Sequence, residues 1–160
     1  MNRPYRAGLL PVLRGRPQAA ACIAGGGEFP GVTGAVRFYQ TGGGVIVWAE
    51  VSGLPGTPPQ IFGFHIHEGG GCGGDTPFAD AMAHYNPAGA EHPYHAGDLP
   101  PLFGSGGRAL SVFLTDRFTV GEVIGRTVII HDRPDDFTTQ PSGNSGTKIA
   151  CGVIRRLAAC

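Results

Sequence analysis

The sequence predicts an all-β protein, an eight-stranded antiparallel Greek-key barrel or sandwich with two long functional loops. Three observations carry that expectation. The 160 residues include 28 glycines and 14 prolines, and both residue types disfavour helix interiors. Runs rich in valine and isoleucine recur at short intervals between turn residues, the spacing of an antiparallel sandwich or barrel. The chain is also 41% hydrophobic, enough to bury a core although its glycine and proline share borders on that of disordered chains.

The strands follow in order. Gln18–Gly25 is a run of small and β-branched residues closed by Gly25-Gly26-Gly27. Thr33–Gln40 alternates, placing Val36 and Phe38 on one face. Val45–Val51 reads VIVWAEV and Phe62–Glu68 reads FGFHIHE. A weaker candidate lies near Leu99–Phe103, and Arg108–Thr115, Arg126–His131 and Lys148–Arg155 complete the set. Thr41-Gly42-Gly43-Gly44, Pro55-Gly56 and Ser105-Gly106-Gly107 supply turns between them. Two connections remain long, about 69–98 and 132–147. Loops beyond about 12–15 residues without their own secondary structure usually carry function. Residues 1–16 fall outside the pattern, so the chain divides into an N-terminal extension, 1–16, and one domain, 17–160.

Twelve basic and twelve acidic side chains give a formal net charge of zero, which argues against a nucleic-acid binder. No stretch reaches the roughly 18–20 apolar residues of a membrane span. In MNRPYRAGLLPVLRGRPQ the apolar patch is interrupted by Pro11 and closed by Arg14, too short for a signal-peptide core. The sequence as it stands therefore predicts a cytoplasmic protein, or an extracytoplasmic one if a further segment precedes it. Cys22, Cys72, Cys151 and Cys160 are too few and scattered for a disulfide scaffold and form no CxxC pair. Cys22 reads as a core thiol in an apolar strand. Cys160 has no assigned role.

The six histidines concentrate in three places. His65 and His67 sit two apart on one strand, so their side chains share a face, with Cα atoms about 6–7 Å apart. Phe64 and Ile66 then face the core. His131 ends the apolar run Val128-Ile129-Ile130, at a position expected to be exposed just beyond a buried strand. His84, His92, His95 and Asp98 lie close together in the first long loop. An H-x2-H-x2-D run with a preceding histidine can supply a tetrahedral His3Asp site, which suits zinc. His65, His67, His131 and one loop histidine would supply four nitrogens, which suits copper.

Several motifs together resemble one family. They are Gly63-Phe64-His65-Ile66-His67-Glu68, His84-Tyr85-Asn86-Pro87, His95-Ala96-Gly97-Asp98-Leu99, Gly125-Arg126-Thr127-Val128-Ile129-Ile130-His131, Pro134-Asp135-Asp136, and the run Gly143-Asn144-Ser145-Gly146-Thr147-Lys148-Ile149-Ala150-Cys151-Gly152-Val153-Ile154. In this order, across about residues 18–155, they resemble the copper/zinc superoxide dismutase family, as a bacterial-type member with shortened metal and electrostatic loops. The resemblance implies an enzyme that disproportionates superoxide to dioxygen and hydrogen peroxide, with one copper and one zinc per subunit. It implies His65, His67, His84 and His131 as copper ligands and His84, His92, His95 and Asp98 as zinc ligands. His84 would bridge the two metals and act in catalysis. Asp135 would link a copper-ligand imidazole to a zinc-ligand imidazole. Cys72 and Cys151 would form the intrachain disulfide, worth about 4–5 kcal/mol in a chain-entropy account.

The sequence also departs from the family. Lys148 stands where the family usually has an active-site arginine, which keeps a positive charge for the anion but loses the guanidinium fork. The gap between His92 and His95 is much shorter than in familiar members. The loop Asp132–Thr147 lacks the family's steering charges, so anion guidance is expected to be weaker and less salt-sensitive. Superoxide is the expected partner, with no nucleic acid or membrane and with a homodimer as the candidate assembly. The alternative is a non-catalytic copper-binding or copper-delivery protein on the same fold. Every ligand position is filled, which argues for the enzyme.

Overall fold

The computed structural model describes residues 9–157. Residues 1–8 of the proposed extension and Cys160 lie outside them. The strands are β1 (Ala19–Gly25), β2 (Thr33–Thr41), β3 (Gly44–Ser52), β4 (Ile61–Phe62), β5 (Phe64–His67), β6 (Leu102–Ser105), β7 (Arg108–Thr115), β8 (Thr127–His131) and β9 (Lys148–Arg156). Two short helices accompany them, α1 (Leu9–Leu13) and α2 (Val120–Val123). The all-β expectation is met, with nine strands in place of eight. No helix among the described residues is long and apolar enough to cross a membrane.

All pairings are antiparallel, in the order β4-β6-β7-β3-β2-β1-β9-β8-β5. The two end strands of this sheet, β4 and β5, are consecutive in the chain with only Gly63 between them. One residue therefore joins the sheet's two edges and curls it into a nearly closed barrel. The run expected as one strand, Phe62–Glu68, is thus divided at Gly63. There the amide donates to Arg133 O at 2.7 Å, and the carbonyl accepts from the His131 amide at 2.8 Å. A Cβ on Gly63 would lie 2.9 Å from the Ser145 Cβ, so no larger residue turns this corner without displacing Ser145.

Strand alternation sorts the side chains. Val36, Phe38, Val45, Val47, Phe64 and Ile66 point inward and are fully buried with Leu102, Val128, Ile130, Ile149 and Ile154. Full burial of each large one stabilises by about 1.5–3 kcal/mol. The same alternation corrects the reading of Cys22. It lies on the outward side of β1 and is an exposed free thiol, because Ala21 and Ile23 take the inward positions. The strand expected near Leu99–Phe103 begins at Leu102 instead. Pro100 and Pro101, which cannot donate to a ladder, hold it off. α2 begins in a capping box between Thr119 and Glu122, a local signal that overrides the general helix deficit.

Candidate metal centre

β5 builds the first half of the site. Phe64 and Ile66 pin it to the core, so His65 and His67 are driven to the opposite face, where both are also buried. β8 pairs with β5 antiparallel and carries His131 at its end. His131 is buried, not exposed as expected, because the loops on either side of the site cover the strand end. On its other edge β5 meets the first long loop through two isolated bridges, His65 with Asp98 and His67 with His84. The backbone bonds Ile66 N–H to Gly97 O (2.9 Å) and Tyr85 N–H to Ile66 O (2.8 Å) set that register. Gly97 is required there, since a Cβ would collide with the Ile66 carbonyl.

Two sets of ligand-type atoms result. One holds His65, His67, His84 and His131, the other His84, His92, His95 and Asp98; within each set the atoms lie within 4.8 Å of one another, and all seven residues are buried. Hydrogen bonds fix which ring nitrogen is free. His67 Nδ1–H donates to Met82 O at 2.8 Å and His131 Nδ1–H to Gly146 O at 3.4 Å. A carbonyl can only accept, so Nε2 is the lone-pair nitrogen of both rings. His65 and His92 each donate Nε2–H to one oxygen of Asp135, at 2.7 and 2.9 Å, which leaves Nδ1 free on both.

The free nitrogens make no hydrogen bond within the protein. His65 Nδ1, His67 Nε2, His84 Nε2, His131 Nε2, His92 Nδ1 and His95 Nδ1 are all buried without a hydrogen bond. Buried polar atoms rarely go unpaired, and six in one place call for a ligand. Asp98 faces the second set, with His84 Nδ1 at 2.8 Å, His92 Nδ1 at 3.0 Å and His95 Nδ1 at 3.3 Å. Four nitrogens suit copper and three nitrogens with a carboxylate suit zinc. His84 belongs to both sets; its Nδ1 lies against Asp98 and its Nε2 is buried and unpaired.

The charge states agree with metal binding. Burial holds the His65 ring down at about 4 although Asp135 lies against it, and burial likewise holds His131 at about 3 and His67 well below its usual range. These rings are neutral, as ligands must be. Burial alone would raise the Asp135 carboxyl, but hydrogen bonds from His65, the Phe137 amide and His92 outweigh it and hold it at about 2. Its neighbour Asp136 shapes the loop, accepting from the Thr138 and Thr139 amides at 2.9 and 2.8 Å.

The description "Copper/zinc superoxide dismutase (SODC)" belongs to the family model that matches residues 32–154. The chain belongs to this family. Superoxide dismutase [Cu-Zn] 2 of Aquifex aeolicus is 35% identical over 139 residues, covering 78% of this chain and 80% of the relative. The Deinococcus radiodurans superoxide dismutase [Cu-Zn] is 36% identical over 147 residues, covering 79% of each. That of Legionella pneumophila is 35% identical over 137 residues, covering 81% and 82%.

The other residues singled out in this copper/zinc superoxide dismutase family member also come together. Cys72 and Cys151 form a disulfide across 79 residues, tying the first long loop to β9. Lys148 lies half-buried beside the first set, lining a cavity with His67, His84 and His131. Its Nζ donates to Phe78 O at 3.2 Å and Met82 O at 3.0 Å. Sequence reasoning missed the acceptor carbonyls of Met82 and Gly146, since a backbone oxygen leaves no residue signature. It also missed Arg126, whose guanidinium lies 3.8 Å over the Tyr85 ring and braces the residue after His84.

Proposed function

We propose that this chain is a superoxide dismutase in which His65, His67, His84 and His131 hold copper and His84, His92, His95 and Asp98 hold zinc. The single observation behind this assignment is His84, which belongs to both ligand sets, with Nδ1 against Asp98 of the second set and Nε2 buried without a partner. Copper held there would supply one-electron chemistry, by which two superoxide anions and two protons become dioxygen and hydrogen peroxide, and zinc would supply a fixed positive charge. Nε2 of His84 is the atom that takes up a proton and hands it to the peroxide product. Asp135 keeps His65 and His92 in the tautomers that leave Nδ1 free.

Lys148 docks the anion. Two of its three hydrogens go to carbonyls, leaving one, with the positive charge, toward the cavity. The protein needs no general base, since the reacting anion brings its own electrons and His84 handles the proton.

Metal reconstitution tests this reading. The expected result is a Cu²⁺ paramagnetic resonance signal with nitrogen hyperfine structure, and superoxide turnover that disappears in His131→Ala. Full copper occupancy without turnover would establish the copper-binding or delivery alternative instead.

Residues 17–160 form the enzyme domain in this reading. A homodimer is the assembly it proposes, through the exposed apolar side chains Phe103 and Leu110 of β6 and β7; a single-protomer mass in sedimentation equilibrium would reject it. Of the two locations the sequence allows, the Cys72–Cys151 disulfide favours an oxidising, extracytoplasmic one over the cytoplasm. Cell fractionation decides between them.

A further inference from the structure

The segment His92–Asp98 supplies three of the four residues of the second ligand set, yet no helix or strand runs through it. Its internal bonds close only local turns, Tyr94 N–H to Glu91 O at 2.8 Å and Asp98 N–H to His95 O at 3.2 Å. Irregular backbone of this kind opens easily unless groups from elsewhere hold it. Here Gly97 is tied by its backbone to Ile66 and Tyr85, and two side chains from distant parts of the chain hold the three ligand residues themselves.

Gln140, in the second long loop, pairs with the main chain of His92 in both directions. The His92 amide donates to Oε1 at 2.9 Å and Nε2 donates to the His92 carbonyl at 2.7 Å. Arg117, just beyond β7, directs Nη1 onto three carbonyls of the segment, Pro93 at 2.9 Å, His95 at 3.2 Å and Asp98 at 3.1 Å. Every ligand residue of the segment is therefore gripped at its own backbone, His92 by Gln140 and His95 and Asp98 by Arg117. The arginine contacts are charge-assisted and stronger than neutral ones. Neither side chain offers an atom to the ligand set itself.

We propose that Arg117 and Gln140 are positioning residues that preset the backbone of His92–Asp98 for zinc. The proposal rests on the reading of that set as the zinc site. With both grips in place the three ligand atoms are arranged before the metal arrives; without them the segment must be ordered at the expense of metal affinity. Loss of partners that orient ligands typically lowers metal affinity about 10–100-fold.

The test uses the full chain, stripped of metal, with zinc titrated against a chromophoric chelator. The visible spectrum of Co²⁺ bound in place of zinc is the second readout. Wild type and His95→Ala are compared first; equal zinc affinity in the two would overturn the zinc reading itself. Arg117→Ala and Gln140→Ala are each expected to weaken zinc about tenfold, and the double variant about a hundredfold, with altered Co²⁺ bands. Arg117→Lys, which keeps the charge and donors, should recover most of the Arg117→Ala loss. Wild-type zinc affinity and an unchanged Co²⁺ spectrum in the double variant would overturn the inference, even if the metal-free protein melts lower. Should the double variant not fold, the two single variants decide by the same criterion.

Discussion

The carbonyl of Met82 accepts from both His67 Nδ1 and Lys148 Nζ, so one backbone oxygen orients a ring of the first set and the Lys148 ammonium together. Replacing Lys148 by alanine leaves His67 held but removes the charge at the cavity. A local field of one sign raises the on-rate of an oppositely charged substrate by about tenfold or more. Lys148→Ala should therefore lower kcat/KM for superoxide by about tenfold at low salt, with the Cu²⁺ spectrum little changed; stopped-flow or competition assays measure it. Lys148→Arg should bind a polyoxyanion such as phosphate more tightly, since a guanidinium can offer two parallel donors. The buried histidines set the acid limit of the metal-free protein. His65 and His131 have pKa values near 4 and 3 in the fold and regain about 6.5 when unfolding exposes them. Below about pH 6.5 the unfolded chain then binds more protons than the folded one, so stability is full above that pH and falls toward pH 3. The melting temperature of chelator-treated protein should decline over that window.

At the scale of elements, strand periodicity does most of the positioning. The alternation of FHIH in β5 follows from the sequence, because two aromatic or aliphatic residues interleaved with two histidines can bury only one pair against the apolar core. The members of the two candidate sets are legible for the same reason: their types and spacing are local. What escaped was long-range. The break at Gly63 is invisible in a continuous apolar run, since Phe62 and Phe64 look alike although they end and begin strands on opposite edges. Arg117 and Gln140 meet the His92–Asp98 segment across 19 or more positions, beyond any local pattern. Cys22 was misread because a strand of small residues does not declare which face is inward. The loop from Asp132 to Thr147 depends on Gly143, at φ +68°, where a Cβ would strike Asp135 and His92 together. Gly143→Ala should therefore separate the two imidazoles that Asp135 joins, weakening metal binding about 10–100-fold in chelator competition.

For the whole molecule, the disulfide is the largest single constraint on the unfolded chain. Closing 79 residues limits the unfolded ensemble by about 4–5 kcal/mol, so Cys151→Ser should lower unfolding free energy by roughly that amount in denaturant titration. The remaining order comes from the barrel, and there Gly63 has a further consequence. A sheet whose end strands are joined by one residue, with metal-loop bridges along the outer side of β5, leaves little unpaired edge to recruit another chain. The same corner leads directly into His65 and His67. The strand that closes the barrel is thus also the strand that carries two residues of the first ligand set. A bulky residue at Gly63 should therefore loosen a strand edge and displace His65 and His67 together, because both lie at the same seam.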